Sequence, residues 1–150
     1  MRKARLYDLR VDFDYKQKDI ADYLHVKTDT YSKWERQIND MPLQKINELS
    51  KLYNVCLDYL LGLSNQKNKN ISQNTINMTL LQKRLKQLRT KKKLSQKYLS
   101  EKLGFPQTTY SNYERGSRII TVQKLLMICE FYNISFDYIT GKSNDSIQTR

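Results

Sequence analysis

Apolar side chains recur at helical spacing along the second half of the chain, and residues that begin or end helices divide them into short segments. Leu81, Leu85 and Leu88 lie three and four positions apart, which predicts a first helix. Hydroxyl residues stand where helices should begin, and glycines stand where two of them should end. The predicted N-caps are Thr79, Ser95, Thr121 and Ser135, and the predicted helix ends are Gly104 and Gly116. Pro106 fits the first turn of the third helix, because its missing N–H is not needed there. This half therefore predicts five short helices.

The first half of the chain follows the same plan. Its predicted core positions are Leu6, Leu9 and Phe13 on helix one, Ile20 and Leu24 on helix two, Tyr31 and Trp34 on helix three, Leu43, Ile46 and Leu49 on helix four, and Leu57 and Leu60 on helix five. No segment of the sequence alternates with the period of two that is typical of strands. The predicted fold class is therefore all-α.

The two halves also share one sequence. A shift of 79 positions aligns residues 5–64 with residues 84–143 without a gap, and about a third of the positions are identical. The pattern "TYSxxER" begins at Thr30 and Thr109, and "YNxxxDYxxG" begins at Tyr53 and Tyr132. We interpret this as a duplicated domain, with a first copy at residues 1–64 and a second at residues 79–150. Residues 65–78 are rich in Asn and Gln and predict a polar linker.

The positive charge is concentrated in the second copy. The chain carries a net charge of +12. Residues 1–64 contain 11 basic and 10 acidic side chains, whereas residues 65–150 contain 16 basic and 5 acidic side chains. An excess of this kind favours a polyanionic partner, of which nucleic acid and an anionic membrane are the obvious candidates.

Several classes of protein are disfavoured by the composition. No apolar run approaches the roughly 20 residues that a membrane-spanning helix needs, and the N-terminal residues do not have the pattern of a signal peptide. Cys56 and Cys129 are isolated and are expected to be reduced core thiols, which favours a cytoplasmic protein. One histidine, two scattered cysteines and no paired carboxylates give no recognisable catalytic or metal-binding set. We therefore predict no enzymatic activity, no cofactor, no metal and no membrane partner.

The second and third helices of each copy are the informative pair. They are short and are joined by about four residues, and a small residue, Ala21 or Ser100, stands where the two helices must cross. A residue that tolerates a left-handed backbone, His25 or Gly104, follows four positions later. This is the plan of a helix-turn-helix, whose second helix enters the major groove of DNA. We interpret His25 as a turn residue rather than as a ligand or catalyst.

Both copies resemble the Cro/repressor-type helix-turn-helix domain, also called the XRE family. The second copy carries the resemblance in "RLKQLRTKKKLSQKYLSEKLGFPQTTYSNYERGSR" followed by "YNISFDYITG", and the first in "RLYDLR", "QKDIADYL", "TYSKWER" and "YNVCLDYLLG". The resemblance covers about four-fifths of the chain. It implies two tandem five-helix, lambda-repressor-like helix-turn-helix domains, with double-stranded DNA as the partner.

The resemblance also implies roles for individual residues. Gln96 and Gln17 open helix two, where the family places a glutamine against the DNA backbone. The exposed positions of helix three carry Gln, Thr and Asn in the second copy, and these side chains can pair with adenine or touch a thymine methyl group. The implied DNA-binding residues are Gln17, Thr28, Asp29 and Lys33 in the first copy and Gln96, Lys97, Gln107, Thr108, Thr109, Ser111, Asn112, Arg115, Ser117 and Arg118 in the second. The implied structural ion pairs are Arg10 with Glu35 and Arg89 with Glu114.

The two copies differ where DNA would lie. After helix three the second copy reads "RGSRIIT" and the first reads "RQINDMP", while helix one ends in "RTKKK" and "RVDFD" respectively. Asp29 on the first recognition helix either accepts a hydrogen bond from cytosine or repels phosphate. Because affinity for DNA comes largely from phosphate neutralisation, we expect the second copy to be the stronger binder. Lys91–Lys93 either contact phosphate or form a solvated face.

Two functions follow from these observations. The first is a sequence-specific DNA-binding transcriptional regulator, a repressor that acts by occupying an operator. The alternative is a protein-interaction module, antitoxin-like or a phage-encoded inhibitor, in which the first copy binds a protein partner. A homodimer is compatible with both, and so is a tandem pair that imitates a dimer within one chain.

Overall fold

The computed structural model describes residues 3–68 and residues 71–147 of the chain. These residues form two compact helical units, which we call unit 1 (residues 3–68) and unit 2 (residues 71–147). The helices of unit 1 are α1 (Leu6–Asp12), α2 (Gln17–Tyr23), α3 (Thr28–Glu35), α4 (Leu43–Tyr53) and α5 (Leu57–Leu60). The helices of unit 2 are α6 (Met78–Lys91), α7 (Gln96–Leu103), α8 (Gln107–Arg115), α9 (Val122–Tyr132) and α10 (Phe136–Ile139).

The predicted all-α class is confirmed, with five helices in each unit. Within the described ranges the extended backbone is limited to two isolated bridges, Ile71 with Ser143 and Ile134 with Ile147. Residues 69 and 70 of the predicted linker lie outside the described residues, as do residues 1, 2 and 148–150 of the predicted copies. No helix among the residues that the structure describes is long and apolar enough to cross a membrane.

The duplication is visible in the backbone as well as in the sequence. The ranges of α4 and α5 coincide with those of α9 and α10 after the shift of 79 positions. The left-handed residues also coincide, although their identities differ. The pairs are Asp14 with Lys93, His25 with Gly104, Gln37 with Gly116, Asn54 with Asn133, and Gly62 with Gly141. The fold thus needs a left-handed turn at these five positions and does not require glycine at each of them.

Gly116 illustrates this difference between the copies. Gln37 takes φ of 60° where Gly116 takes φ of 77°, so the turn itself tolerates a side chain. In unit 2, however, a Cβ atom on Gly116 would clash with the end of the Gln82 side chain. The absence of a side chain at Gly116 therefore leaves room for the Gln82 side chain to pack on this turn.

Three of the predicted N-caps stand where the sequence placed them. Ser95 and Ser135 accept hydrogen bonds from the backbone N–H groups of Tyr98 and Tyr138, and Thr121 occupies the N-cap position of α9. The prediction for Thr79 was wrong, because α6 begins at Met78 and Oδ1 of Asn77 accepts from the N–H of Leu80 at 3.0 Å. Asparagine is as good an N-cap as threonine, and it stands two residues earlier than expected.

The prediction for Pro106, at the start of the third helix of unit 2, was also wrong. Pro106 is the N-cap residue of α8, with an extended backbone, and not a residue of its first turn. Helix α8 begins at Gln107, so the proline only precedes it.

The core of each unit consists of the inward faces of its helices. The buried apolar residues of unit 1 include Leu6, Leu9, Ile20, Leu24, Tyr31, Trp34, Leu43, Ile46, Leu49, Leu57 and Leu60, and those of unit 2 include Leu81, Leu85, Leu99, Leu103, Tyr110, Val122, Leu125, Cys129 and Phe136. Phe13 was wrongly assigned to the core, since 47% of its surface is exposed. It follows the last residue of α1, and its ring packs edge-on against Tyr53 at a centroid distance of 5.1 Å.

An arginine, half-buried in unit 1 and buried in unit 2, fastens the start of each unit to its last helix. In unit 1 the guanidinium of Arg5 donates to the backbone carbonyls of Tyr59 and Ser64 and to Oδ1 of Asn65, and it stacks on the Tyr59 ring at 4.1 Å. The backbone N–H of Cys56 then donates to the carbonyl of Lys67 at 2.7 Å. The chain beyond Ser64 is thereby held against unit 1.

Unit 2 repeats this clamp at equivalent positions. Arg84 donates to the carbonyls of Tyr138 and Ser143 and to Oδ1 of Asn144, and it stacks on the Tyr138 ring at 4.0 Å. The sequence analysis gave Arg5 and Arg84 no role. Their identity at the 79-residue shift, together with that of Asn65 and Asn144, was the available signal.

Candidate nucleic-acid interface

The turn between helices two and three has the same construction in both units. In unit 2, Ser100 is buried where α7 crosses α8, and Gly104 ends α7 with φ of 76°. In unit 1, Ala21 is buried at the equivalent place, and His25 takes φ of 57°. The turn then closes by a hydrogen bond from the N–H of residue 105 or 26 to the carbonyl of residue 100 or 21. This geometry leaves the outer face of α8, and that of α3, exposed to solvent.

The outer face of α8 carries the residues that the resemblance implied. Tyr110 and Tyr113 are buried on its inner face, whereas Gln107 and Thr108 are exposed. Exposed side chains continue past the helix end; they are Arg115, Ser117 and Arg118, and Lys97 is exposed on α7. Thr109, Ser111, Asn112 and Gln96 are half-buried. The structure thus brings polar and basic side chains together on one accessible surface.

Asn112 is held at the C-terminal end of this surface by its neighbours. Its Oδ1 atom accepts hydrogen bonds from the guanidinium of Arg115 and from the hydroxyl of Ser117, the latter at 3.1 Å. The backbone N–H groups of Ser117 and Arg118 both donate to the Asn112 carbonyl. The turn after α8 is therefore tied by hydrogen bonds to the outer face of α8.

A buried ion pair supports α8 in unit 2. Nε and Nη2 of Arg89 lie 2.6 and 3.1 Å from the two carboxylate oxygens of Glu114, and Nη1 donates to the carbonyl of Leu94 at 2.8 Å. Only 13% and 4% of the two side chains are exposed. Gln96 adds a third partner, because its Nε2 donates to Glu114 at 3.3 Å. One carboxylate therefore connects α6, the start of α7 and α8.

The same network exists in unit 1. Arg10 contacts both oxygens of Glu35 at 2.8 and 2.9 Å and donates to the carbonyl of Tyr15 at 2.9 Å. Gln17 donates to Glu35 at 3.3 Å, as Gln96 does to Glu114. The two glutamines for which the resemblance implied a contact with the DNA backbone thus also have an intramolecular role that the sequence analysis missed.

The surroundings of these carboxylates lower their pKa. Burial is the largest single influence on the pKa of Glu114 and acts to raise it, but the hydrogen bonds from Arg89 and Gln96, the neighbouring Tyr110 hydroxyl and the charge of Arg89 together outweigh it. The net result is a pKa below the ordinary value of 4.5. The pKa of Glu35 is lowered in the same way by Arg10 and Gln17.

We expect both units to lose stability on acidification as a result. A carboxylate with a lowered folded-state pKa stabilises the fold fully above its unfolded pKa, and this contribution is lost as the pH falls through the folded value. The free energy of unfolding, measured by urea denaturation, should therefore fall as the pH is lowered from about 5 through the folded-state pKa of these carboxylates. A Glu114→Gln variant should show a shallower fall, and an equally steep one would contradict the assignment.

The outer face of α3 in unit 1 differs in charge from that of α8. Nζ of Lys33 lies 3.1 Å from Oδ2 of Asp29, one helical turn away, and both side chains are substantially exposed. Their counterparts in unit 2 are the uncharged Asn112 and Thr108. The ion pair between two implied DNA-binding residues was not foreseen, although their spacing of four positions was the signal. These two positions of unit 1 therefore present no net charge.

A helix-turn-helix family model matches the chain twice, at residues 6–60 and at residues 85–139. The two matches are offset by the same 79 positions as the repeat, and together they cover more than half of the chain.

Two curated proteins are similar to part of the chain. The HTH-type transcriptional regulator ImmR of Bacillus subtilis (strain 168) is 42% identical over 66 residues, which are 44% of this chain and 52% of ImmR. The uncharacterized HTH-type transcriptional regulator YobD of the same strain is 38% identical over 46 residues, which are 31% of this chain and 41% of YobD. The chain therefore spans about half the length of the curated relatives that it matches. No solved structure matches it.

Proposed function

The chain belongs to the XRE-type helix-turn-helix family, as the sequence predicted, and from this premise we propose that it is a sequence-specific DNA-binding transcriptional regulator. The observation that carries the proposal is the outer face of α8, where Gln107 and Thr108 are exposed and the basic turn at Arg115–Arg118 follows directly. Amide and hydroxyl side chains can read base edges, and the arginines can neutralise phosphates.

In this proposal the second copy is the main DNA binder and the protein is a repressor. Residues 79–150 and the preceding linker, residues 65–78, carry nearly all of the positive charge excess. Occupation of an operator by this copy would exclude polymerase, and repression would need no further effector domain. The first copy, residues 1–64, then contributes a weaker contact with DNA or binds another partner.

Matched substitutions in the two recognition helices test the proposal. Gln107→Ala with Asn112→Ala should weaken binding of the intact chain to a fragment from upstream of its own gene by at least about tenfold, since a bidentate base contact contributes ~1–3 kcal/mol. The control is Thr28→Ala with Lys33→Ala, the same two positions in unit 1, which should change the affinity much less. Fluorescence anisotropy at several salt concentrations measures both.

Three outcomes would contradict the proposal. They are equal losses in both variants, an unchanged affinity for the α8 variant, and a wild-type protein that binds the fragment and unrelated DNA equally at every salt concentration. Circular dichroism of each variant separates loss of contact from loss of fold.

A second candidate function concerns unit 1. The paired charges of Asp29 and Lys33 and the additional acid at Asp40 suit a protein surface better than a phosphate backbone. We propose as the alternative that the chain is an antitoxin-like or phage-encoded interaction module whose first copy binds a protein. A stoichiometric protein partner would favour this alternative if it still bound the variant with Gln107→Ala and Asn112→Ala. The same partner should no longer bind the variant with Thr28→Ala and Lys33→Ala.

The oligomeric state is tested by the length of the DNA footprint. A single bound copy would protect about half a site. Two copies, whether they come from one chain or from a homodimer, would protect two half-sites about one helical turn apart. Sedimentation of the protein in the absence of DNA distinguishes a homodimer from a tandem pair.

A further inference from the structure

Three consecutive lysines, which we call the lysine segment (Lys91–Lys93), lie where α6 ends and the chain turns into α7. All three side chains are exposed, and no carboxylate of residues 3–68 and 71–147 forms an ion pair with them. By contrast, Lys18, Lys33 and Lys45 of unit 1 lie 3.2, 3.1 and 3.5 Å from a carboxylate of their own helix. The charge of the lysine segment is therefore not balanced by the described part of the chain.

The backbone of the lysine segment is held in one conformation by hydrogen bonds. The N–H of Lys93 donates to the carbonyl of Thr90 at 3.0 Å. The N–H of Leu94 donates to the carbonyl of Arg89 at 3.0 Å, and Nη1 of Arg89 donates to the carbonyl of Leu94 at 2.8 Å. A segment that is already ordered loses little conformational entropy when it binds a partner.

The carboxylate of Glu114 fixes the lysine segment beside the end of α8. Arg89, two residues before the segment, contacts both oxygens of this carboxylate at 2.6 and 3.1 Å. Gln96, three residues after the segment, donates to the same carboxylate at 3.3 Å. The segment is therefore anchored on both sides to the residue that immediately precedes Arg115. The lysines and the basic turn after α8 thus lie at the same end of α8.

The equivalent positions of unit 1 carry the opposite charge. They are Asp12, Phe13 and Asp14, and their side chains are exposed as well. Lys93 and Asp14 both take a left-handed backbone, with φ of 56° and 57°, which suits aspartate or glycine better than lysine. The macrodipole of α6 favours basic residues in its last turn, but its effect falls off beyond that turn. Lys93 therefore gains nothing from its own backbone position, which indicates a role for its charge outside the fold.

We infer that the lysine segment contacts the phosphate backbone of DNA, beside the phosphates that the turn after α8 would meet. This inference rests on the proposed DNA binding and extends it to residues outside the two helices of the helix-turn-helix. Phosphate contacts carry no sequence information, so the segment contributes affinity and not specificity. The acidic residues at the equivalent positions of unit 1 repel phosphate, so unit 1 has no such contact.

The salt dependence of DNA binding by the intact chain tests this inference. The variant combines Lys91→Gln, Lys92→Gln and Lys93→Gln, and fluorescence anisotropy is measured from 50 to 200 mM salt. We expect the slope of log Kobs against log salt concentration to decrease by about 0.9 for one phosphate contact and by up to about 2.7 for three. The affinities for the fragment from upstream of its own gene and for unrelated DNA should fall by the same factor.

A charge-matched variant provides the control. Lys83→Gln, Lys102→Gln and Lys124→Gln together remove the same charge from the early part of α6, the end of α7 and the start of α9. This variant should change the slope by less than about 0.9, because these lysines lie outside the lysine segment. Arginine at all three positions of the lysine segment should preserve the wild-type slope, since arginine also binds phosphate. Circular dichroism checks that each variant is folded.

The inference is overturned if the glutamine variant keeps the wild-type slope, if the charge-matched variant lowers the slope equally, or if only one DNA sequence loses affinity. Co-sedimentation with vesicles of phosphatidylserine and phosphatidylcholine tests the other source of phosphate groups. Vesicle binding that the glutamine variant loses, with an unchanged DNA slope, would assign the lysines to lipid instead. Equal wild-type affinity for all DNA would refute the proposed sequence-specific regulator but leave this slope test valid, whereas no binding to any duplex would overturn both.

Discussion

Glu114→Gln is expected to lower the free energy of unfolding of unit 2 by about 3–5 kcal/mol, the usual cost of breaking a buried ion pair from one side. The substitution preserves the shape of the side chain but leaves the Arg89 guanidinium, of which 13% is exposed, without its counter-charge. It also weakens the connection between α6, α7 and α8 that runs through one carboxylate.

The chain contains an internal reporter that separates the two units in this experiment. Trp34 is its one tryptophan and is buried in α3 of unit 1. Tryptophan fluorescence should therefore follow the unfolding of unit 1, whereas circular dichroism follows both units. Glu114→Gln should move the dichroism transition to lower urea and leave the fluorescence transition in place. Glu35→Gln, the equivalent change in unit 1, should move the fluorescence transition.

An exposed ion pair provides the control. Lys18 and Asp22 lie 3.2 Å apart on α2, with 75% and 66% of their side chains exposed. Asp22→Asn should cost less than about 1 kcal/mol, because solvent screens the pair. If Glu114→Gln cost no more than Asp22→Asn, the network would not have the structural role that its burial indicates.

The duplication explains why much of the fold could be predicted from the sequence. Apolar spacing gives the helices, and glycine or histidine after helix two marks the turn, so the helix pair could be placed without a structure. The two ion pairs and the DNA-binding residues on α8 were both implied by the family resemblance. Each of these signals consists of particular residue types at a fixed spacing, and such spacing can be read from a single sequence.

Features that depend on main-chain partners or on packed shape could not be predicted in this way. The clamp of Arg5 and Arg84 is directed mostly at backbone carbonyls, which have no sequence signature. The N-cap of α6 is Asn77, whereas Thr79 was predicted. Both residue types are suitable N-caps, so the residue types alone do not show at which of them the helix begins.

Arg115→Gln combined with Arg118→Gln is expected to flatten the salt dependence of DNA binding. Each phosphate contact contributes about −0.9 to the slope of log Kobs against log salt concentration, so loss of two should reduce the slope by about 1.8. Between 50 and 200 mM salt, the fall in affinity should then be about tenfold smaller than for the wild-type protein. Both arginines are exposed in or after the last turn of α8, and the turn is fixed to Asn112 by backbone hydrogen bonds.

The first unit supplies the matched control for this prediction. Arg36 stands at the position of Arg115, but Asn39 replaces the second arginine and Asp40 follows it. Arg36→Gln should therefore change the slope by less than the double variant does, and by close to zero if only unit 2 contacts phosphate. The charge-matched comparison is between Arg36→Gln and Arg115→Gln alone, since each removes one surface arginine at equivalent positions. Equal changes in these two single variants would mean that both units contact the DNA backbone with similar charge, and a general loss of positive charge cannot produce a difference between them. Unequal slopes would thus locate the phosphate contacts in the turn after α8.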